Sequence, residues 1–218
     1  MKNIKILAAV TVAASALVAN AAYAQESSTQ GYVSVHGGVL VSHTVDTSFN
    51  DGAVTGKTKT DTGYRIGGSA GYNVTPNVAV EAEVSYASAN LNEFTPTGGT
   101  AEAVLGKGNT LSLMGNVILG TNLGALRPYV GAGIGVAQVK IDVPAGEFGS
   151  DAAKDSQWKF AAQALAGVDY TLTGNISLGA RYRYQYAGST NLADAGSTPI
   201  ALGNVNRHSV EAVLKFGF

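Results

Sequence analysis

Apolar and polar residues alternate with period two in eight stretches of this chain, and each such stretch predicts a β-strand with two unlike faces. The clearest is Val78–Tyr86, where Val78, Val80, Ala82, Val84 and Tyr86 fall on one face and Ala79, Glu81, Glu83 and Ser85 on the other. Gly31–Val41 and Gly63–Tyr72 come before it, the second with Tyr64, Ile66, Gly68, Ala70 and Tyr72 on one side. Leu111–Gly120 is looser, because Met114 and Ile118 interrupt the polar face. In "PYVGAGIGVAQV", Val130, Ala132, Ile134 and Val136 oppose Gly131, Gly133 and Gly135. The sixth stretch sets Trp158, Phe160, Val168 and Tyr170 against Lys159, Gln163 and Asp169. The seventh sets Ile176, Leu178, Tyr182, Tyr184 and Tyr186 against Arg181, Arg183 and Gln185, and the eighth sets His208, Val210, Leu214, Phe216 and Phe218 against Ser209, Glu211 and Lys215.

The connections alternate in length. "NVTPN", "TNLGALR" and "TLTGN" are short and carry the Asn, Gly and Pro that tight turns need. The other four, His43–Thr62, Ser88–Asn109, Lys140–Gln157 and Ala187–Arg207, run to about twenty residues of Gly, Ser, Thr, Asn and Asp, longer than compact domains usually carry. An even number of strands with short turns at one end and long loops at the other predicts an all-β, eight-stranded, antiparallel up-and-down barrel of the transmembrane type.

Periodicity does not say which face looks inward, since a soluble barrel buries its apolar face and a membrane barrel turns it to lipid. The aromatic residues favour lipid. Tyr72, Tyr170 and Phe218 lie beside the short turns, and Tyr64, Tyr86, Trp158 and Tyr186 lie toward the long connections, as two girdles at the membrane interfaces would. No apolar face contains Asp, Glu, Lys or Arg within its strand, and charge is confined to the face rich in Gly and Ser. Small residues suit the narrow interior of an eight-stranded barrel. The chain also stops on its last strand, so no peptidoglycan-binding domain is expected after it.

The N-terminus supports export. Lys2 and Lys5 precede a long apolar run, and Ala22-Tyr23-Ala24 supplies small residues at the cleavage positions, so residues 1–24 read as a cleaved signal peptide and 25–218 as the barrel. Cleavage removes two lysines and no acid, taking the net charge from −1 to −3. The interleaved Arg and Tyr of "ARYRYQYAG" could suggest a nucleic-acid patch, but the charge gives no basic field and the two residue types point to opposite faces of one strand. The absence of cysteine excludes disulfides, thiol nucleophiles and thiolate metal sites.

"RPYVGAGIGVA" in the fifth stretch and the closing "HSVEAVLKFGF" resemble the small outer-membrane β-barrel family of Gram-negative bacteria, which includes OmpA-like transmembrane domains, opacity-type proteins and related surface antigens. The resemblance covers essentially the whole mature chain and implies a location in the bacterial outer membrane. Its partners would be outer-membrane lipid and lipopolysaccharide. It also implies that Leu214, Phe216 and Phe218 form the terminal signal read by the barrel-assembly machinery.

The inward face is then charged: Arg65, Lys159, Arg181, Arg183 and Lys215 face Glu81, Glu83, Asp169 and Glu211. Buried charges need partners. Hairpin arithmetic places Arg65 near Glu83, and the adjacency of the last two strands places Arg183 or Arg181 near Glu211. Two readings follow: a salt-bridged plug that stiffens the barrel, or charged rings that select ions in a narrow porin-like channel. The first suits the small bore of eight strands better.

No catalytic, metal-binding or cofactor-binding pattern is present. The adjacent His208 and Ser209 point to opposite faces and cannot act together as a lipid-modifying pair. His36 falls on the inward face and His43 in the first long loop, and three scattered histidines do not make a metal site. Function is therefore expected in the long loops, whose mixed charge (Asp46, Asp51, Lys57, Lys59, Asp61, then Lys140, Asp142, Glu147, Asp151, Lys154, Asp155) either keeps the outer surface solvated or serves adhesion to a host or matrix ligand.

Overall fold

The computed structural model describes residues 30–41, 44–49, 54–60, 62–96, 102–143, 153–188, 190–192, 200–202 and 205–218. The expected signal peptide lies outside these residues. The strands are β1 (Gly31–Val41), β2 (Thr44–Phe49), β3 (Val54–Thr60), β4 (Gly63–Thr75), β5 (Val78–Pro96), β6 (Glu102–Gly120), β7 (Leu126–Val143), β8 (Ala153–Thr171), β9 (Ile176–Ala187), β10 (Thr190–Leu192), β11 (Ile200–Leu202) and β12 (Val205–Gly217).

Eight of them form a closed antiparallel ring in the order β5-β4-β1-β12-β9-β8-β7-β6, sealed by the β5–β6 pairing. At the seam between the first and last wall strands, Gly31 N–H donates to the Phe218 carbonyl at 3.1 Å, and Phe218 N–H donates back at 2.9 Å. Crossing the wall through opposed residues from Gly31 by way of Tyr72, Val80, Val117, Ala132, Ala164, Tyr184 and His208 returns to β1 at Val41, ten residues further along. Eight strands with that stagger tilt about 40° from the barrel axis and stand about 8 Å from it, so inward side chains from opposite walls meet.

The long connections differ from expectation. β5 and β6 pair beyond Ser88 and Asn109 as far as Phe94 and Glu102, and β7 and β8 as far as Val143 and Ala153. The span 43–62 contains the hairpin β2–β3, whose second strand continues the wall against β5, and the span 187–207 contains β10, β11 and the start of β12. Much of what reads as loop is strand extension. Of the loop charges, Asp51, Asp61, Glu147 and Asp151 lie outside the described residues, as does His43. Short turns close the other end. The hairpin between β6 and β7 turns on Gly124 and Ala125, bridged by Leu123 and Leu126, and Gly124 has φ of 66°, the left-handed value demanded at the first central position of such a turn.

The outer wall is apolar: Val35, Val80, Leu113, Val117, Ile134, Phe160, Leu178, Tyr182, Val210 and Leu214 are all uncovered by protein. The inner side holds the core. Tyr32, Ala79, Ile118, Tyr129 and Leu165 form one apolar cluster, and Met114, Ala137, Ala161 and Ala187 form another. Two aromatic rings enter the interior because glycine stands opposite: Tyr32 pairs with Gly71 and Tyr129 with Gly167, and a Cβ at either glycine would strike the ring. Gly133 makes similar room for Asn116. Gly133→Val is expected to destabilise the barrel by about 1–3 kcal/mol through overpacking. Gly115→Val, one residue away in register and facing outward, meets nothing nearer than the Ile134 carbonyl at 3.9 Å and is expected to stay within about 0.5 kcal/mol of neutral. Urea unfolding of the two variants in lipid vesicles checks the contrast.

Candidate functional site: the charged lumen

Strand alternation places the polar set inside, and the narrow bore brings residues from opposite walls together. Arg183 on β9 is fully buried and lies at the centre. Its Nε and Nη2 donate to the two carboxylate oxygens of Glu211, on the neighbouring β12, at 2.9 and 3.0 Å. Its Nη1 donates to Gln163 Oε1 at 2.8 Å and to Glu83 Oε1. Glu83 stands on β5, four strands from β9 in either direction around the ring, so this contact spans the barrel's diameter. The bidentate fork to Glu211 and the contact with Glu83 use the planar donor geometry that distinguishes Arg from Lys.

The surrounding groups complete the network. Glu83 also accepts from Asn116 Nδ2 at 3.3 Å and Gln163 Nε2 at 3.5 Å, with Arg181 Nη1 at 3.6 Å. Glu211 accepts from Ser209 Oγ at 2.7 Å. Glu81 accepts from the Tyr32 hydroxyl and from Asn116 Nδ2, each at 3.1 Å. Arg181 lies 3.9 Å from both Glu81 and Glu211. In this layer three guanidinium groups, Arg65, Arg181 and Arg183, balance three carboxylates, Glu81, Glu83 and Glu211.

Arg65 departs from the expected pairing. It stands opposite Ala87 rather than beside Glu83, which pairs with Ser69. Its side chain instead crosses the lumen, donating to Ser85 Oγ at 3.1 Å and Gln185 Oε1 at 2.6 Å, with Nε 3.7 Å from Glu211. Asp169 and Lys215 form a separate pair at 2.5 Å nearer the short turns. Lys159 is half-buried on the inner face of β8, opposite Ala137, and among the described residues makes no ion pair.

Three cationic or polar groups escaped the sequence reading in part. Arg207, placed in a loop by its sequence context, belongs to β12 and donates to Thr110 Oγ1. Arg127, placed in a turn, belongs to β7 opposite Asp169. His36, read as inward but incidental, lies with Nε2 3.5 Å from Arg183 and 3.9 Å from Glu83. The alternation carries the signal for Arg127, because it sits two residues before the inward Tyr129.

The aromatic residues flank the apolar band. Tyr64, Tyr72, Trp158 and Tyr170 are about half exposed on the outer surface. Tyr86, Tyr186 and Phe218 are partly covered; Tyr86 donates to Asn109 Oδ1 at 2.8 Å and packs against Tyr64 with centroids 6.3 Å apart. His208 faces outward, its Nδ1 2.6 Å from the Tyr182 hydroxyl, while Ser209 faces the lumen. Histidine and serine are thus on opposite sides of the wall. Among the described residues no cluster of acidic or histidine side chains could hold a metal ion.

Comparison with known proteins agrees with this architecture. An uncharacterized protein of Brucella abortus (strain 2308) is 42% identical over 69 residues, covering 28% of this chain and 24% of that protein. Outer membrane protein PagN of Salmonella typhimurium (strain LT2) is 35% identical over 75 residues, covering 33% of this chain and 31% of that protein. The matched stretch thus spans about a quarter to a third of these curated relatives. The crystal structure of OprG, an outer membrane protein of Pseudomonas aeruginosa, superimposes with a TM-score of 0.54 at 17% identity, covering 86% of this chain and 97% of that one, and so shares the fold. The family model for the outer membrane protein beta-barrel domain matches residues 10–218. With a closed ring, an apolar exterior and a charged interior already in place, that match makes this chain a member of the outer membrane protein β-barrel domain family.

Proposed function

We propose that the protein is a closed, non-conducting scaffold that displays the long-connection end of its barrel at the bacterial surface for recognition, with adhesion to a host or matrix ligand as its specific role. The observation that carries the closed reading is the contact of Arg183 with Glu83 across the barrel's diameter, with apolar clusters on either side of it along the lumen. A wall cross-braced at its midpoint holds the surface end rigid, and rigid scaffolds suit recognition by appended segments. Strand pairing carried beyond the girdles extends that platform.

On this reading the signal peptide directs export and Leu214, Phe216 and Phe218 address the assembly machinery. Leu214 and Phe216 lie on the outer face and Phe218 closes the seam with Gly31, positions open to a partner before the barrel shuts. The girdle tyrosines and Trp158 would sit at the two interfaces, with lipopolysaccharide around the outer one.

A narrow ion channel is the second reading. It is favoured by the buried Nε atoms of Arg65 and Arg181, which have no hydrogen-bond partner and line the same lumen. Replacing residues 97–101 and 144–152 with short turns, in cells that carry the protein, tests the recognition role. Adherence to host cells or matrix should fall while barrel abundance in the outer membrane is kept; unchanged adherence would count against adhesion.

A further inference from the structure

The short-turn mouth of the barrel contains a cavity of about 390 Å³ that the closed-scaffold reading does not use. Lys215 and Arg127 line it together with Asp169. Lys215 Nζ is held at 2.5 Å by Asp169 Oδ2 and stands 4.7 Å from the Tyr32 ring centroid and 5.6 Å from that of Tyr129. The lysine is thereby fixed in position with part of its donor capacity unused. Arg127 lies beside Gly120, where a Cβ would come within 3.2 Å of its Nε. Its Nη2 is buried and has no hydrogen-bond partner.

Two cations against one carboxylate leave the cavity with an excess positive charge. One Asp169 oxygen is bound to Lys215; the other lies over the backbone of Gly179 and, like Arg127 Nη2, is buried without a hydrogen-bond partner, so neither oxygen serves as an acceptor for the arginine. A buried guanidinium nitrogen without an acceptor is costly, and an oxyanion is the group that satisfies it most strongly. Above the cavity lies the cluster of Tyr32, Ala79, Ile118, Tyr129 and Leu165, so the cavity is a blind vestibule. The rest of its lining is uncharged and mixes hydrogen-bonding side chains, among them Asn73, Asn122, Asn175, Thr171 and Ser177, with Val74, Pro76 and glycines.

We propose that this vestibule is a binding site for a small organic oxyanion, a carboxylate or phosphate on a hydroxylated or amide-bearing body. The anionic group lies between Arg127 and Lys215, and the body contacts the Asn, Thr and Ser rim. In family barrels this end faces the periplasm, so the ligand is a periplasmic solute or the exposed end of a periplasmic polymer.

Titration of the whole refolded barrel in phosphate-free detergent solution tests this, with inorganic phosphate, acetate and glucuronate as probes and backbone amide NMR shifts as the readout. Saturable shifts are expected at Gly120, Gly179 and Lys215 and not at Arg183, with glucuronate binding more tightly than acetate. Arg127→Gln should weaken binding by about tenfold or more, the size of one lost charge-assisted hydrogen bond, while Arg127→Lys should retain most of it. Unchanged shifts around Arg183 show that the variants are folded. The proposal is overturned if none of the three probes gives saturable shifts, or if a folded Arg127→Gln barrel binds them as the parent does.

Discussion

Arg183→Met should lower the barrel's unfolding free energy by about 3–5 kcal/mol, the largest loss expected of any single lumen substitution. The side chain is fully buried and contacts two carboxylates, Glu211 through a bidentate fork and Glu83 across the diameter. Removing it leaves Arg65 and Arg181, at 3.6 Å or more, as the guanidinium groups near the two buried anions, beside neutral donors from Ser209, Asn116 and Gln163. Methionine fills much of the volume, so the loss reports charge rather than a cavity. The double variant Arg183→Met/Glu211→Gln restores the balance, with Arg65 and Arg181 against Glu81 and Glu83, and should recover at least half of the loss. Urea titration of vesicle-inserted protein measures both. A loss under about 1 kcal/mol for the single variant would mean that water reaches these carboxylates and the lumen is wet.

Ile134→Arg should cost about 2–4 kcal/mol, because this side chain is 65% exposed on the middle of β7, where the wall meets the hydrocarbon core. The same substitution at Val41, which is 47% exposed at the long-connection end of β1, should cost only about 0–1 kcal/mol, since an arginine there reaches the interface. Both positions are on the outward, apolar face of a wall strand and differ in depth. Equal costs at both sites would place the apolar band elsewhere on the wall.

Which residues share a face was legible because the period-two signal needs no tertiary information, and the aromatic residues and uncharged apolar faces indicated which face looks outward. Val80, Ala82 and Val84 face lipid and Glu81 and Glu83 face the lumen, as their alternation says. The long connections were misjudged for a physical reason. Once a strand rises above the hydrocarbon band, neither face needs to be apolar, so Ser88–Pro96 and Glu102–Asn109 carry no hydrophobic period although they pair as strand. The partner of Arg65 was illegible for another reason. A contact from β4 to Gln185 on β9 depends on stagger and side-chain reach, and neither can be read from neighbouring strands. Tyr32 and Tyr129 did leave a trace in the glycines Gly71 and Gly167 opposite them, visible once the register is known.

The vestibule belongs to the same design. The lumen network and the lower apolar cluster together separate the short-turn mouth from the rest of the interior, so a solute bound by Arg127 and Lys215 is retained on one side. Binding and conduction are then independent properties and can be measured separately.

Planar lipid bilayer recording on the purified barrel measures closure directly. With Arg183 bridging Glu83 and Glu211, the parent protein should give no stable single-channel steps above the bare-membrane baseline across the usual voltage range. Long-lived, ion-selective steps in the parent protein would contradict the closed scaffold and make the charged lumen a conduction path.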